Sequence, residues 1–227
     1  MNYKTVLLAV LLAAVESIQM AAAGQRENKR AETAVDVLRT VMSTPDRRIP
    51  EALLEQAHAI AVVPDLVKAG LVVGGRHGRG LVSIRTPDGT WSNPCFISIT
   101  GGSFGFQAGV QSSDIVLVFR TARGVDTLVN GKFTLGADAS VAAGPVGRQG
   151  QASTDGQLKA EILAYARTRG LFAGIALDGS VMSIDREANE SVYGNDTTPR
   201  QIFENRVARV PDSVVTFRDQ LEEQTAR

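Results

Sequence analysis

The chain is poor in the residues that most often carry chemistry. Among 227 positions there is one cysteine, Cys95, two histidines, and aromatics make up 5%. One thiol excludes an intramolecular disulfide, so the core alone must hold the fold. His58, His77 and Cys95 have no close spacing and match no zinc pattern, so neither a metal nor a cofactor is expected. Lys and Arg total 24 against 24 for Asp and Glu. Without a basic excess the chain is not expected to bind nucleic acid. No apolar run approaches the roughly 20 residues that a membrane-spanning helix needs.

What is present begins at the N-terminus. Lys4 precedes the apolar run Val6–Val15, Glu16 ends that run, and Ala21-Ala22-Ala23 supplies small residues. This order reads as a signal peptide cleaved after Ala23. No cysteine lies near the cleavage point, which excludes lipid modification there. The expected domain plan is a signal peptide over 1–23 and one domain over 24–227, a length suited to a single core.

Glycine is abundant, at 22 residues, and short apolar runs alternate with turn signals. The expected class is α+β: mainly antiparallel β, as a glycine-rich sandwich or barrel-like sheets, with N- and C-terminal flanking helices. Ala31, Ala34, Val35, Leu38, Val41 and Met42 recur at spacings of three and four, predicting a helix over 24–43 that Pro45 stops. Pro50 and Glu51 suit the first turn of a second helix running to about Ala59.

Strands are expected from Ile60 onward, with a turn at Pro64-Asp65. Leu71–Val73 and Leu81–Arg85 would flank GGRHGRG as a hairpin tip, and Asp88-Gly89 would turn into a strand from Trp91. Ile115–Phe119 is apolar on both faces and reads as central. Asn130-Gly131 marks a hairpin, and Leu135–Ala143 alternates as one strand with a small apolar face. Asp178-Gly179 would join Leu171–Leu177 to Val181–Ile184. Leu158, Ile162 and Tyr165 fit either a helix or a strand. Pro199 and Pro211-Asp212-Ser213 are expected helix starts.

The tempting catalytic motifs lack their context. Gly101-Gly102-Ser103-Phe104-Gly105 matches G-x-S-x-G, which requires a following helix and, in that enzyme class, a later histidine. A strand pattern follows instead, and both histidines precede the serine. Gly75–Gly80 resembles a phosphate loop, but such loops use a helix N-terminus and this one leads into a strand. On spacing alone, Arg76, His77 and Arg79 are better read as a solvated loop than as an anion contact. Asn189-Glu190-Ser191 and Asn195-Asp196-Thr197 are formal glycosylation acceptors. No nucleophile, base or metal set emerges, so no enzyme is expected.

Seven segments, in order, carry a resemblance: AIAVVP (59–64), KAGLVVGGRHGRG (68–80), WSNP (91–94), GFQAGVQ (105–111), LGADASVAAGPVGR (135–148), YARTRGLFAGIALDGS (165–180) and Asn189 with Tyr193-Gly194. Together they resemble the SYLF domain, a lipid-binding module of bacterial exported proteins and of eukaryotic actin- and endocytosis-associated proteins. The resemblance covers a core of 59–194 and turns the stretch around Tyr165 toward strand. It implies non-enzymatic binding of anionic phospholipids at a membrane surface. In eukaryotic relatives a segment at the start of the domain contributes to phosphoinositide binding. Here Glu27, Glu32 and Asp36 dilute the basic character of the corresponding helix.

The candidate lipid-binding residues are Lys68, Arg76, His77, Arg79, Arg148, Arg167, Arg169, Arg26, Lys29 and Arg30. Val35, Leu38, Val41 and Met42 could add apolar insertion. The alternatives are a periplasmic carrier enclosing a lipid or other apolar ligand, and an envelope protein-interaction domain. Export to the periplasm, to the outer-membrane surface or out of the cell is the matching expectation.

Overall fold

A computed structural model describes residues 3–43, 49–70, 73–104, 109–129, 132–146, 160–168 and 171–225, with side chains of the first helix from Ala22 onward. That helix, α1, runs unbroken over Tyr3–Ser43. The predicted stripe is its buried face: Ala31, Ala34, Val35, Leu38 and Val41 are each at most 4% exposed. They pack in one core with Val214, Phe217 and Leu221 of the C-terminal helix. This corrects the insertion idea for Val35, Leu38 and Val41, because the protein's own core already covers that stripe. No helix among the described residues is long and apolar enough to cross a membrane.

α2 covers Glu51–Glu55 behind Pro50 and is shorter than expected. The strands are β1 (Ala59–Gly70), β2 (Val73–Ile84), β3 (Cys95–Phe104), β4 (Gly109–Phe119), β5 (Lys132–Thr134), β6 (Val141–Ala143), β7 (Ile162–Thr168), β8 (Leu171–Gly174) and β9 (Ser180–Ile184). Helices α3 (Ala122–Val129), α4 (Arg186–Tyr193), α5 (Pro199–Phe203) and α6 (Asp212–Thr225) complete the described chain. Pro199 starts its helix as expected, behind a Thr198–Gln201 capping box. The region around Tyr165 is strand, as the resemblance implied.

All the strands belong to one sheet, ordered β5-β9-β3-β2-β1-β4-β7-β6 with β8 on β7. Every named pairing is antiparallel except β6 with β7. Chain connectivity forces this sheet to curl. Laid flat, seven inter-strand spacings would put β5 and β6 about 34 Å apart. Only Leu135–Ser140 join them, and Thr134 to Val141 can span at most about 25 Å when fully extended. The link is not extended either, because it contains a turn at Gly136 (φ 88°). The two edges therefore approach each other, giving the barrel-like form rather than a two-layer sandwich.

Several boundaries differ from the expectation. Pro64-Asp65 is not a turn: β1 continues through it, with a shift in its pairing between Val63 and Leu66 and with Asp65 at φ 49°. GGRHGRG is not a hairpin tip but strand interior, paired with both β1 and β3. Leu135–Ala143 is two short pieces, since Gly136–Asp138 turn back and Gly136 N–H donates to Ala139 O. The turn at Asp178-Gly179 exists, but β8 pairs with β7 and β9 pairs with β3 and β5, so it closes no hairpin. Helix α3 was not foreseen. Pro45, Asn130-Gly131 and Leu158 lie outside the described residues.

The resemblance motifs prove to be structural contacts. Trp91 is buried, its indole N–H donates to Thr225 Oγ1 at 2.8 Å, and the Arg85 guanidinium lies 4.6 Å above its ring. Tyr193 Oη donates to Pro94 O at 2.5 Å, and Asn205 Oδ1 accepts from the Asn93 amide at 2.7 Å. Burial pushes the Tyr193 phenol well above its usual range. Asn189 is 2% exposed and bonded to Phe96 and Asp185, so its sequon is not a surface acceptor in the folded chain. Cys95 is fully buried, which raises its thiol pKa far above the ordinary value and leaves it a packing residue.

Candidate functional site

Strand register decides which candidate residues can act together. Lys68 faces Arg76 across β1–β2 and Gln111 across β1–β4, while Val67 faces His77. Successive strand residues point to opposite sides of a sheet. The candidate cations therefore divide into two groups on opposite faces of the same hairpin.

One group meets α1. Arg26, Lys29, Arg30 and Thr33 from α1, with Pro64, Asp65, Val67, His77, Gly78 and Arg79 from β1 and β2, line a groove of about 380 Å³. Arg30 pairs with Glu27, and Arg79 lies 3.5 Å from Asp185, the N-cap of α4. Arg26 and Lys29 are exposed and have no ion-pair partner among the described residues. Burial, with a further contribution from Arg79, lowers the Arg30 pKa. Val67, 40% exposed, forms an apolar part of the lining.

The second group is Lys68 and Arg76. They line a separate pocket with Leu66, Ile115, Ile175 and Leu177. The exposed apolar residues Val110 and Leu171, 74% and 59% accessible, come from the same end of the sheet. Val110 pairs with Ala69, and Leu171 pairs with Thr168 beside Ser113.

Arg167 joins neither group. Its Nε and Nη2 donate to Asp114 Oδ2 at 2.8 and 2.6 Å, tying β7 to β4. A guanidinium held by its own carboxylate is a poor head-group ligand, because an incoming anion must displace that partner. Arg148 and Arg169 lie outside the described residues. The counter-charges Asp114 and Asp185 were missed from sequence because their partners Arg167 and Arg79 are distant in the chain, whereas Glu27 was already visible on the first helix.

The geometry offers a groove lined by cations and a pocket with two cations and an apolar wall. His58 and His77 stand at opposite ends of β1–β2, and Gly101–Phe104 are strand residues. Among the described residues no three His, Cys, Asp or Glu side chains gather as for a metal ion. The fold is thus an α+β domain built on a curled antiparallel sheet.

Comparison with known proteins fixes the family. The Ysc84 family model, described as "Las17-binding protein actin regulator", matches residues 100–224. The chain is 35% identical over 176 residues to LAS seventeen-binding protein 3 of Saccharomyces cerevisiae (strain ATCC 204508 / S288c), covering 76% of this chain and 38% of that protein. It is 35% identical over 185 residues to SH3 domain-containing YSC84-like protein 1 of Bos taurus, covering 79% and 54% respectively. The human protein of that name is 36% identical over 172 residues, covering 73% of this chain and 50% of its own length. The chain belongs to the Ysc84, or SYLF-domain, family. It spans about half or less of the length of these relatives.

Proposed function

We propose that this domain binds anionic phospholipid at a membrane surface, without catalysis, through the groove between α1 and the β1–β2 hairpin. The observation that carries the reading is the convergence of Arg26, Lys29 and Arg30 from α1 with His77 and Arg79 from β2 around the partly exposed Val67 of β1. Each cation near an anionic membrane contributes roughly 1 kcal/mol. Arg26 and Lys29 supply about 2 kcal/mol, and the carboxylate-paired Arg30 and Arg79 supply less. A total of about 3 kcal/mol is weaker than millimolar affinity. Apolar contact must add to it, and Val67 and Val110 replace the buried α1 face in that role.

The test is vesicle flotation. Binding is expected to phosphatidylglycerol-containing vesicles over pure phosphatidylcholine, and to fall with added salt as surface charges are screened. Arg26→Gln with Lys29→Gln should weaken it by about 30-fold, the equivalent of two cations. Equal binding to neutral and anionic vesicles would refute the charge-led reading. The family description favours a second reading, a protein partner in actin regulation. Co-sedimentation with filamentous actin in the absence of lipid would support it instead.

We also propose that residues 1–23 direct export to a bacterial periplasm or beyond, so that envelope phospholipids are the relevant anions. The buried stripe from Ala31 to Val41 lies beyond Ala23, so cleavage there keeps these residues in the chain. Intact mass of the protein from its native cell should correspond to a chain starting at Gly24. Recovery of the full 227 residues from the cytosol would refute export.

A further inference from the structure

The pocket on the other face of the hairpin has a chemistry that the groove does not share. It has a volume of about 250 Å³ and lies among β1, β2, β4, β7 and the segment after β8. Two cations stand in one row of its wall, because Lys68 and Arg76 are register partners. Arg76 is half-buried, and its Nε is shielded from solvent with no hydrogen-bond partner among the described residues. Among the described residues no Asp or Glu lines the pocket. Its hydroxyls, Ser113 and Thr168, bond to each other at 2.6 Å. Neither of them bonds to Arg76 Nε. A guanidinium N–H shielded from water without an acceptor is costly, and an anion is the partner that removes the cost. Behind the cations, Leu66, Ile115, Ile175 and Leu177 present an apolar wall. Bare polar solutes gain nothing from such a wall, whereas an aliphatic chain does.

We propose that this pocket binds a single-chain amphiphile, with its anionic head on Arg76 and Lys68 and its aliphatic chain against Leu66, Ile115, Ile175 and Leu177. The head chemistry is shared by a fatty carboxylate and by the phosphate of a single-chain lipid. The site is separate from the membrane-facing groove and does not rest on the groove's function.

Calorimetric titration of the full chain tests it, with decanoate, octyl phosphate, decanol and inorganic phosphate, each below any micelle concentration. Decanoate or octyl phosphate should bind at least tenfold more tightly than both decanol and inorganic phosphate, and the tighter of the two, compared at equal alkyl length, identifies the head group. Within the preferred series, affinity should rise about fourfold per methylene until the wall is covered. Lys68→Gln with Arg76→Gln should reduce amphiphile binding at least tenfold, with an unchanged urea midpoint showing that the fold survives. Ala176→Leu, at an exposed position of the lining, should abolish the chain-length dependence without removing the cations. Arg26→Gln with Lys29→Gln should leave amphiphile binding unchanged whatever it does to vesicle flotation. Equal affinity for decanol and decanoate would overturn the proposal. So would phosphate binding as tightly as octyl phosphate, or full binding by the Lys68/Arg76 variant.

Discussion

Gly80→Ala is expected to destabilise the fold by about 3 kcal/mol, at the upper end of what overpacking costs. A Cβ added at Gly80 would stand 2.1 Å from Val62 O and 2.7 Å from Val63 Cα. Both neighbours are backbone atoms of the adjacent strand, so no side-chain rotation relieves the clash. Relief requires β1 and β2 to separate, and they form the centre of the sheet. Gly75, in the same glycine-rich segment, supplies the control. A Cβ there would meet nothing closer than Gly101 O at 3.9 Å. Gly75→Ala should change stability by no more than about 1 kcal/mol, with the loss of unfolded-state freedom favouring the variant. Urea unfolding of the two variants beside the parent chain decides the matter. Equal midpoints for Gly80→Ala and the parent would show that β1 and β2 do not approach so closely.

That contrast explains how GGRHGRG could be misread. Glycine in a sequence signals either a turn or a close approach, and local pattern does not distinguish them. Here Gly74 and Gly80 make room for the backbone of β1, a requirement set by a neighbouring strand. Gly144 is a similar case, since its Cβ would lie 2.1 Å from Tyr165 Cζ. Leu135–Ala143 failed for a different reason. Its alternation is real, but Gly136 adopts a positive φ and Asp138 Oδ2 accepts from the Thr134 amide at 2.7 Å, closing a turn. Helix α3 buries Val125 and Leu128, but eight residues give too little periodicity to stand out.

What was legible had a local cause. The α1 stripe has the three-and-four spacing of a buried helical face, and Ile115–Phe119, apolar throughout, is a strand buried on both faces with β1 and β7 along its edges. Pro199 behind Thr198 is a helix start by backbone chemistry alone. Candidate cations could be named from sequence, but not sorted. Their division between two faces follows from the β1–β2 register, and the neutralisation of Arg167 follows from Asp114 on β4. The motif residues of the family were visible as a resemblance, yet their contacts required the fold: Tyr193 reaches Pro94, and Asn189 reaches Phe96.

Asn189 carries the second large effect, and its two substitutions should differ in their response to pH. Its Oδ1 accepts from the Phe96 amide at 2.8 Å, while its Nδ2 donates to Phe96 O at 2.9 Å and Asp185 O at 2.8 Å. The two carbonyls have other donors, since the Asp185 amide donates to Phe96 O and the Asn189 amide donates to Asp185 O. The Phe96 N–H is the group that Asn189→Ala would orphan. One buried orphan together with lost hydrogen bonds is expected to cost about 3 kcal/mol. Asn189→Asp retains the acceptor for Phe96 but turns a carboxylate oxygen toward two carbonyls. Burial and that repulsion raise the folded-state pKa of the new acid above its unfolded value of about 3.9. The folded state then binds the proton more tightly, so stability is present at acid pH and is lost as pH rises. At pH 7 Asn189→Asp should be less stable than Asn189→Ala, and the order should narrow or invert towards pH 4. Urea midpoints of both variants against the parent chain at the two pH values measure this. A pH-independent difference between the variants would show that position 189 does not face those carbonyls.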